Sequence, residues 1–308
     1  MERRLFLATG AAALAAPALS RVESATTLRF VPQSDLAVLD PIWTPAYVTR
    51  NHGFMVFDTL FGTDDQYKVS PQMAAGSATE DQGRTWSITL RDGLKFHDGT
   101  PVLARDCVAS LLRWGKRDTF GQALFAATDE LSAKDDKTLV FKLRKPFALL
   151  PDALGKAGSN MPAIMPERLA KTDPFTQITE MVGSGPFKFL ASERIAGARV
   201  TYEKFVGYVP RSDGTTSFTA GPKIAHFDRV VWNVMPDSAT AAGALQNGEA
   251  DRWENPPNDL VPMLKRSRDI TIVVQDKTGY ICMLRPNFLN PPFDNLVLRA
   301  GSSDRVFG

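Results

Sequence analysis

Cysteine and histidine are scarce in this chain. Its 308 residues hold two cysteines, Cys107 and Cys282, and three histidines, His52, His97 and His226. The histidines are too widely spaced for an H-E-x-x-H helix or a comparable metal motif. Two cysteines cannot make a disulfide framework; one Cys107–Cys282 bridge stands beside the alternative of two buried free thiols. Net charge is also small, +2 for the whole chain and +1 once residues 1–25 are set aside. Basic residues are scattered, apart from a brief cluster at Lys265, Arg266 and Arg268. This charge pattern gives no argument for binding nucleic acid or an anionic membrane. No apolar run reaches the roughly 18–20 residues of a membrane span. A phosphate-binding G-x-x-x-x-G-K-[ST] loop is missing, and G-S-G at residues 183–185 is not a G-x-S-x-G nucleophile elbow. No pair of carboxylates is singled out by spacing as acid and base, so an enzyme is the weaker reading.

The composition that remains, 44% apolar and 23% charged, is that of a soluble globular protein large enough for more than one domain. Residues 1–25 have the layout of an export signal: Arg3 and Arg4, a mildly apolar alanine-rich run, then small residues. Cleavage is expected after Ala18 or Ser20, with Ala25 less favoured. Twin arginines before a weak apolar run point to the Tat route and a periplasmic mature protein. The competing reading is a frayed N-terminal helix. No lipobox cysteine accompanies the signal.

From Glu80 to Trp114 the pattern is strand, Asp92-Gly93 turn, short strand, Asp98-Gly99 turn, helix. Trp86, Ile88 and Leu90 alternate with polar residues, the period of a half-buried strand. Glycine accepts the positive φ of each turn. Pro101 suits the first turn of the helix, whose apolar face is read as Cys107, Val108, Leu111 and Leu112. His97 falls at the second turn as a loop residue. Elsewhere, strands are expected at Leu28–Val31, through Leu139, Phe141 and Leu143, and at Val230–Val234. A helix is expected from Tyr47 to Phe61. Another runs from Ser238 to Asn247, capped by Asp237 or Ser238 and stopped at Asn247-Gly248.

Five spaced motifs occur in order: LDP at residues 39–41, RDGLKFHDGTPV, GSGPF, ALQNGEAD and RPNFLNPPFDN. Together, from about Thr27 to about Asn295, they resemble the family 5 solute-binding proteins, the peptide-type receptors of bacterial ABC importers. The resemblance implies an α/β, periplasmic binding protein-like fold of type II. Residues 26–62 and 184–280 would form the core of lobe one, and 63–183 an inserted α+β subdomain. Residues 281–308 would begin a second lobe that is mostly missing. It implies capture of a peptide or small-molecule solute and delivery to an inner-membrane ABC permease, with no cofactor and no chemistry on the solute. The alternatives are a one-lobe interaction or chaperone-like protein, or an inactive fragment.

The family arrangement would turn Tyr47, Asn51 and His52 toward the solute cleft. Trp253, Glu254 and Asn255 would join them, with Asn287 near the crossing between lobes. Trp253 would supply a flat wall and Glu254 a partner for a cation. Core packing is the alternative for Trp253 and His52, and solvent exposure for Glu254 and Tyr47. After NLVLRA, where family members continue into a longer helix, the chain reads GSSDRVFG. The expectation is a truncated or frameshifted product, with a natural short paralogue as the alternative.

Overall fold

The computed structural model describes residues 26–275 and 287–298. They fall into two units, residues 1–270 and 271–308, and the first holds all the regular elements. Its main sheet has five strands in the order β11 (Arg252–Trp253), β1 (Thr27–Val31), β10 (Arg229–Asn233), β9 (Arg199–Lys204) and β8 (Phe187–Phe189). β1 runs parallel to both β10 and β11, whereas β9 is antiparallel to β10 and to β8.

Period-two alternation decides what each face of this sheet buries. Leu28 and Phe30 of β1, Val200 and Tyr202 of β9, and Val230 and Trp232 of β10 join one core with Val48 and Val56 of α1 (Tyr47–Val56). Val31 points the other way and packs with Ala241 and Ala244 of α6 (Ser238–Gln246). Both faces are covered, as parallel strands require. Alanines on α6 let the helix lie close to the sheet. Asp237 caps that helix, its Oδ2 accepting the Thr240 N–H at 2.7 Å, and Gly248 follows with φ +71°.

A second, antiparallel sheet runs β4 (Ala74–Glu80), β5 (Thr85–Leu90), β7 (Thr138–Leu143) and β6 (Thr128–Ala133). Ile88, Leu90, Leu139 and Phe141 face α2 (Ala104–Trp114), α3 (Thr119–Ala127) and α4 (Leu150–Gly155) in a core of their own. Each fully buried side chain of this size contributes about 1.5–3 kcal/mol. A ribbon of β2 (Phe61–Thr63) and β3 (Val69–Pro71) precedes it. The short helices α5 (Glu167–Ala170) and α7 (Val261–Leu264) complete the unit. No described helix is long and apolar enough to cross a membrane.

Three local expectations are corrected. α1 ends at Val56 rather than Phe61: Phe57 is extended, and its N–H closes on Gly53 O at 2.7 Å. The apolar residues beyond Val56 mimic helical spacing because the chain there crosses between cores, Phe57 serving one and Leu60 the other. Pro101 lies before α2, in a bridge with Lys95. On α2 it is Cys107, Leu111 and Trp114 that are buried, and Leu112 is 45% exposed. His97 does lie in the turn, and it is buried there. Its Nδ1 accepts the Gly183 N–H at 3.3 Å while its Nε2 reaches Gly185 O at 3.0 Å.

That clasp joins two of the sequence motifs. The GSGPF loop in turn lies on the end of α1, Gly185 N–H donating to Val56 O at 2.9 Å. Glycine is needed at residue 183, where a Cβ would come within 2.0 Å of Val56 O.

In the second unit, residues 287–298 turn through a cis Pro291–Pro292 bond. Asn295 then opens a helical turn, its Oδ1 accepting the Val297 N–H at 2.9 Å. Cys282 and residues 1–25 lie outside the described residues.

Candidate functional site

Strands β1 and β11 end side by side, at Val31 and Trp253. Ligands of open α/β sheets gather beyond such carboxyl ends, because the loops that follow parallel strands leave a crevice there. Here the backbone is fixed first: Glu254 N–H donates to Val31 O at 3.0 Å, extending the pairing by one residue. The Glu254 carboxylate then accepts the Gln33 N–H on Oε2 at 3.0 Å and the Asn51 Nδ2 on Oε1 at 2.6 Å. Asn51 comes from α1, 203 residues away in sequence.

The other end of the Asn51 amide is also occupied. Arg50 donates to its Oδ1 from both Nε, at 3.1 Å, and Nη2, at 2.9 Å. The same guanidinium lies over the Tyr47 ring, 4.4 Å from the centroid. Tyr47, Asn51 and Glu254 are therefore brought into one polar cluster, with Arg50 and the Gln33 amide added to them. A repeat of three residues on a helix places an aromatic ring beneath an arginine, and that spacing is the signal for Arg50 in the sequence. Nothing in the sequence marks Gln33, since it acts through its backbone.

Trp253 is half-buried against the Val31, Ala241, Ala244 and Ala250 cluster, and Asn255 is exposed beside it. His52 is corrected to a core residue. It sits on the buried face of α1 with Val48 and Val56, is 0% exposed, and has Nδ1 2.9 Å from the Tyr202 hydroxyl. Burial, and then the charge of Arg194, pulls its pKa down to about 3. A neutral imidazole enclosed in this way is out of reach of a solute. Asn287 belongs to the second unit, where its Oδ1 accepts the Leu289 N–H at 3.2 Å.

A cavity of about 550 Å³ lies elsewhere, between the β2–β3 ribbon and residues 211–221. It contains none of the residues expected to face solute. Its arginine is already committed, since Arg211 grips Asp213 and donates to the carbonyls of Gln72 and Ala74. The polar cluster beyond β1 and β11 is the stronger candidate on chemical grounds. Among the described residues no group of three or more metal-ligating side chains converges.

Residues 68–301 match the model of the bacterial extracellular solute-binding proteins, family 5 Middle. A probable peptide ABC transporter periplasmic-binding protein of Sinorhizobium fredii is 39% identical over 95% of this chain and 55% of its own length. A glutathione-binding protein of Pectobacterium atrosepticum is 28% identical over 97% of this chain and 55% of its own length. The chain thus spans about half the length of these curated relatives.

Among solved structures, MoaA from A. tumefaciens R10, in complex with mannopinic acid, superposes with a TM-score of 0.66. The match has 21% identity and covers 90% of this chain and 54% of that one. The oligopeptide-binding protein AppA of Bacillus subtilis, in complex with a nonapeptide, gives 0.63 at 21% identity, covering 79% and 46%. At such identities the likeness speaks to fold alone, and that fold is of the type II periplasmic binding protein class.

Proposed function

Because the chain belongs to the family 5 bacterial extracellular solute-binding proteins, we propose that it is the extracytoplasmic substrate-binding component of an ABC importer. It captures peptides or similar small solutes and hands them to an inner-membrane permease, with no chemistry on the solute. Residues 1–25 serve as its Tat-type export signal. Residues 26–62 and 184–280 form the core of a first lobe, residues 63–183 an inserted subdomain, and 281–308 the start of a second lobe.

The observation that carries this reading is the meeting of Asn51 and Glu254 beyond the carboxyl ends of β1 and β11. A receptor for extended solutes needs oriented donors and acceptors at such a crevice. Tyr47, Asn51, Trp253, Glu254 and Asn255 are the residues we assign to solute contact there. Closure of a second lobe over the filled crevice is the state a permease recognises.

Isothermal titration of the purified chain with tri-alanine, glutathione and mannopinic acid tests the proposal, with Trp253 fluorescence as a second signal. Saturable one-to-one binding without turnover of the solute is expected. No heat and no fluorescence change with any of the three would overturn it in favour of a one-lobe interaction protein.

A further inference from the structure

The cluster beyond β1 and β11 has a direction. The Gln33 N–H and the Asn51 amide both donate to Glu254, and Asn51 in turn receives two bonds from Arg50. An Asn side chain has one acceptor end and one donor end. Glu254 takes the donor end, so the acceptor end must face the guanidinium. Beneath, the Tyr47 ring holds the same guanidinium by its face. Nε and one N–H of Nη2 are spent on Asn51. Among the described residues Nη1 has no partner.

We infer that Arg50 is the residue that reads a carboxylate of the bound solute, and that Glu254 is a positioning residue acting through Asn51. This rests on the solute-binding role proposed above, and it reverses the part given to Glu254 by the sequence, that of a direct partner for a cation. Two of the carboxylate's acceptor positions are taken by fixed protein donors. What it gives the site is an Asn51 that cannot flip. Arginine suits the task because its planar fork meets a carboxylate through paired N–H groups, and because a rotamer already held loses little entropy on binding. A lysine there would keep the charge and lose the fork.

The carboxylate has two sources in a peptide, the chain terminus or an acidic side chain. Titrations of the 308-residue chain with Ala-Ala-Ala, its C-terminal amide, and Ala-Glu-Ala-amide separate them. For wild type, the free-carboxylate probes should bind about tenfold to a hundredfold more tightly than the tri-alanine amide, the range of one charge-assisted pair. Preference for the first probe identifies the terminus, and preference for the third the side chain.

Arg50→Lys, which keeps the charge and loses the fork, should shrink that preference severalfold, and Arg50→Met should abolish it. Glu254→Gln, which retains a carbonyl oxygen for Asn51, should keep affinity within about threefold, whereas Glu254→Ala falls as far as Arg50→Met. Thermal midpoints of all variants are measured alongside, so that an unfolded variant is not counted as a weak binder. Equal losses in Glu254→Gln and Glu254→Ala would mean direct contact of the carboxylate with a solute cation and would overturn the positioning role. Binding that persists with no difference between free and amidated probes would overturn the inference alone. No binding by any probe would overturn it together with the capture role.

Discussion

Arg113 of α2 grips Asp40 across 73 residues of chain, with Nη1–Oδ1 at 3.2 Å and Nη2–Oδ2 at 2.7 Å, and neither side chain is more than 2% exposed. The pair is satisfied on every side. Asp40 also accepts the N–H groups of Ile42 and Ile178, and Arg113 donates to the carbonyls of Thr172 and Thr176. This explains the LDP motif structurally: its aspartate anchors the loop after β1 to the module carrying α2.

Removing one partner strands a charge in the interior. Arg113→Met is predicted to cost about 3–5 kcal/mol of unfolding free energy, because Asp40 is left unpaired. Asp40→Asn should cost a similar amount, since it strands the Arg113 charge and turns an NH2 toward N–H groups that now donate to a carboxylate oxygen. Urea unfolding measures both. A loss under 1 kcal/mol in Arg113→Met would show that the bridge is solvated in solution.

Acid should weaken the fold through two histidines. Burial first, and then the Lys188 charge, brings His97 down to about 4, with the Gly185 contact opposing them; His52 lies at about 3. Both folded values sit beneath the ordinary 6.5, so the unfolded chain binds more protons below pH 6.5. Stability is complete above 6.5 and falls as the pH drops toward 4, each histidine adding up to about 1.4 kcal/mol per pH unit. His97→Gln should flatten that slope. Denaturant midpoints at pH 7.5, 6.0, 5.0 and 4.5 check it; a level profile from 6.5 to 5.0 would contradict both assignments.

Two glycine substitutions should part sharply. Gly183→Ala forces a methyl to within 2.0 Å of Val56 O, whereas at Gly76 a Cβ meets nothing within 4 Å. The first is predicted to cost on the order of 3 kcal/mol or more, and the second to lie within about 0.5 kcal/mol of wild type. Thermal midpoints compare them directly.

Cys107 is fully buried, and burial pushes its thiol well above the ordinary range. In a Cys282→Ser variant, a disulfide reagent at pH 8 should label Cys107 only at the rate at which the chain unfolds. Labelling within seconds in native buffer would place the thiol at the surface instead.

Elements were legible in the sequence where their signals are local. α6 carries its Asp237 cap and Asn247-Gly248 stop within its own stretch, and β10 shows its own alternation. The end of α1 was not legible, because residues 57–60 obey a helical period for a tertiary reason. Pro101 misled similarly: its fitness for a first turn is a propensity, overruled by its bridge to Lys95. At the candidate site, Tyr47, Asn51 and Glu254 were reached through family resemblance. The Tyr47–Arg50 spacing marks a ring beneath an arginine but not the role, which depends on Glu254, two hundred residues away, fixing the orientation of an amide. His52 sits one position beyond Asn51, and on a helix one position is enough to turn a side chain from solvent into the core.

The position of β1 within its sheet governs the order in which the protein can assemble. Its partner in β10 is 202 residues later, the register pairing Thr27 with Arg229, and β11 comes later still. The antiparallel sheet, by contrast, lies wholly between Ala74 and Leu143. A nascent chain can therefore complete the second sheet while the first strand it made still waits, its edges open. Closing so long a loop around parallel pairings is slow. The waiting strand is the segment most in need of protection by a chaperone during synthesis.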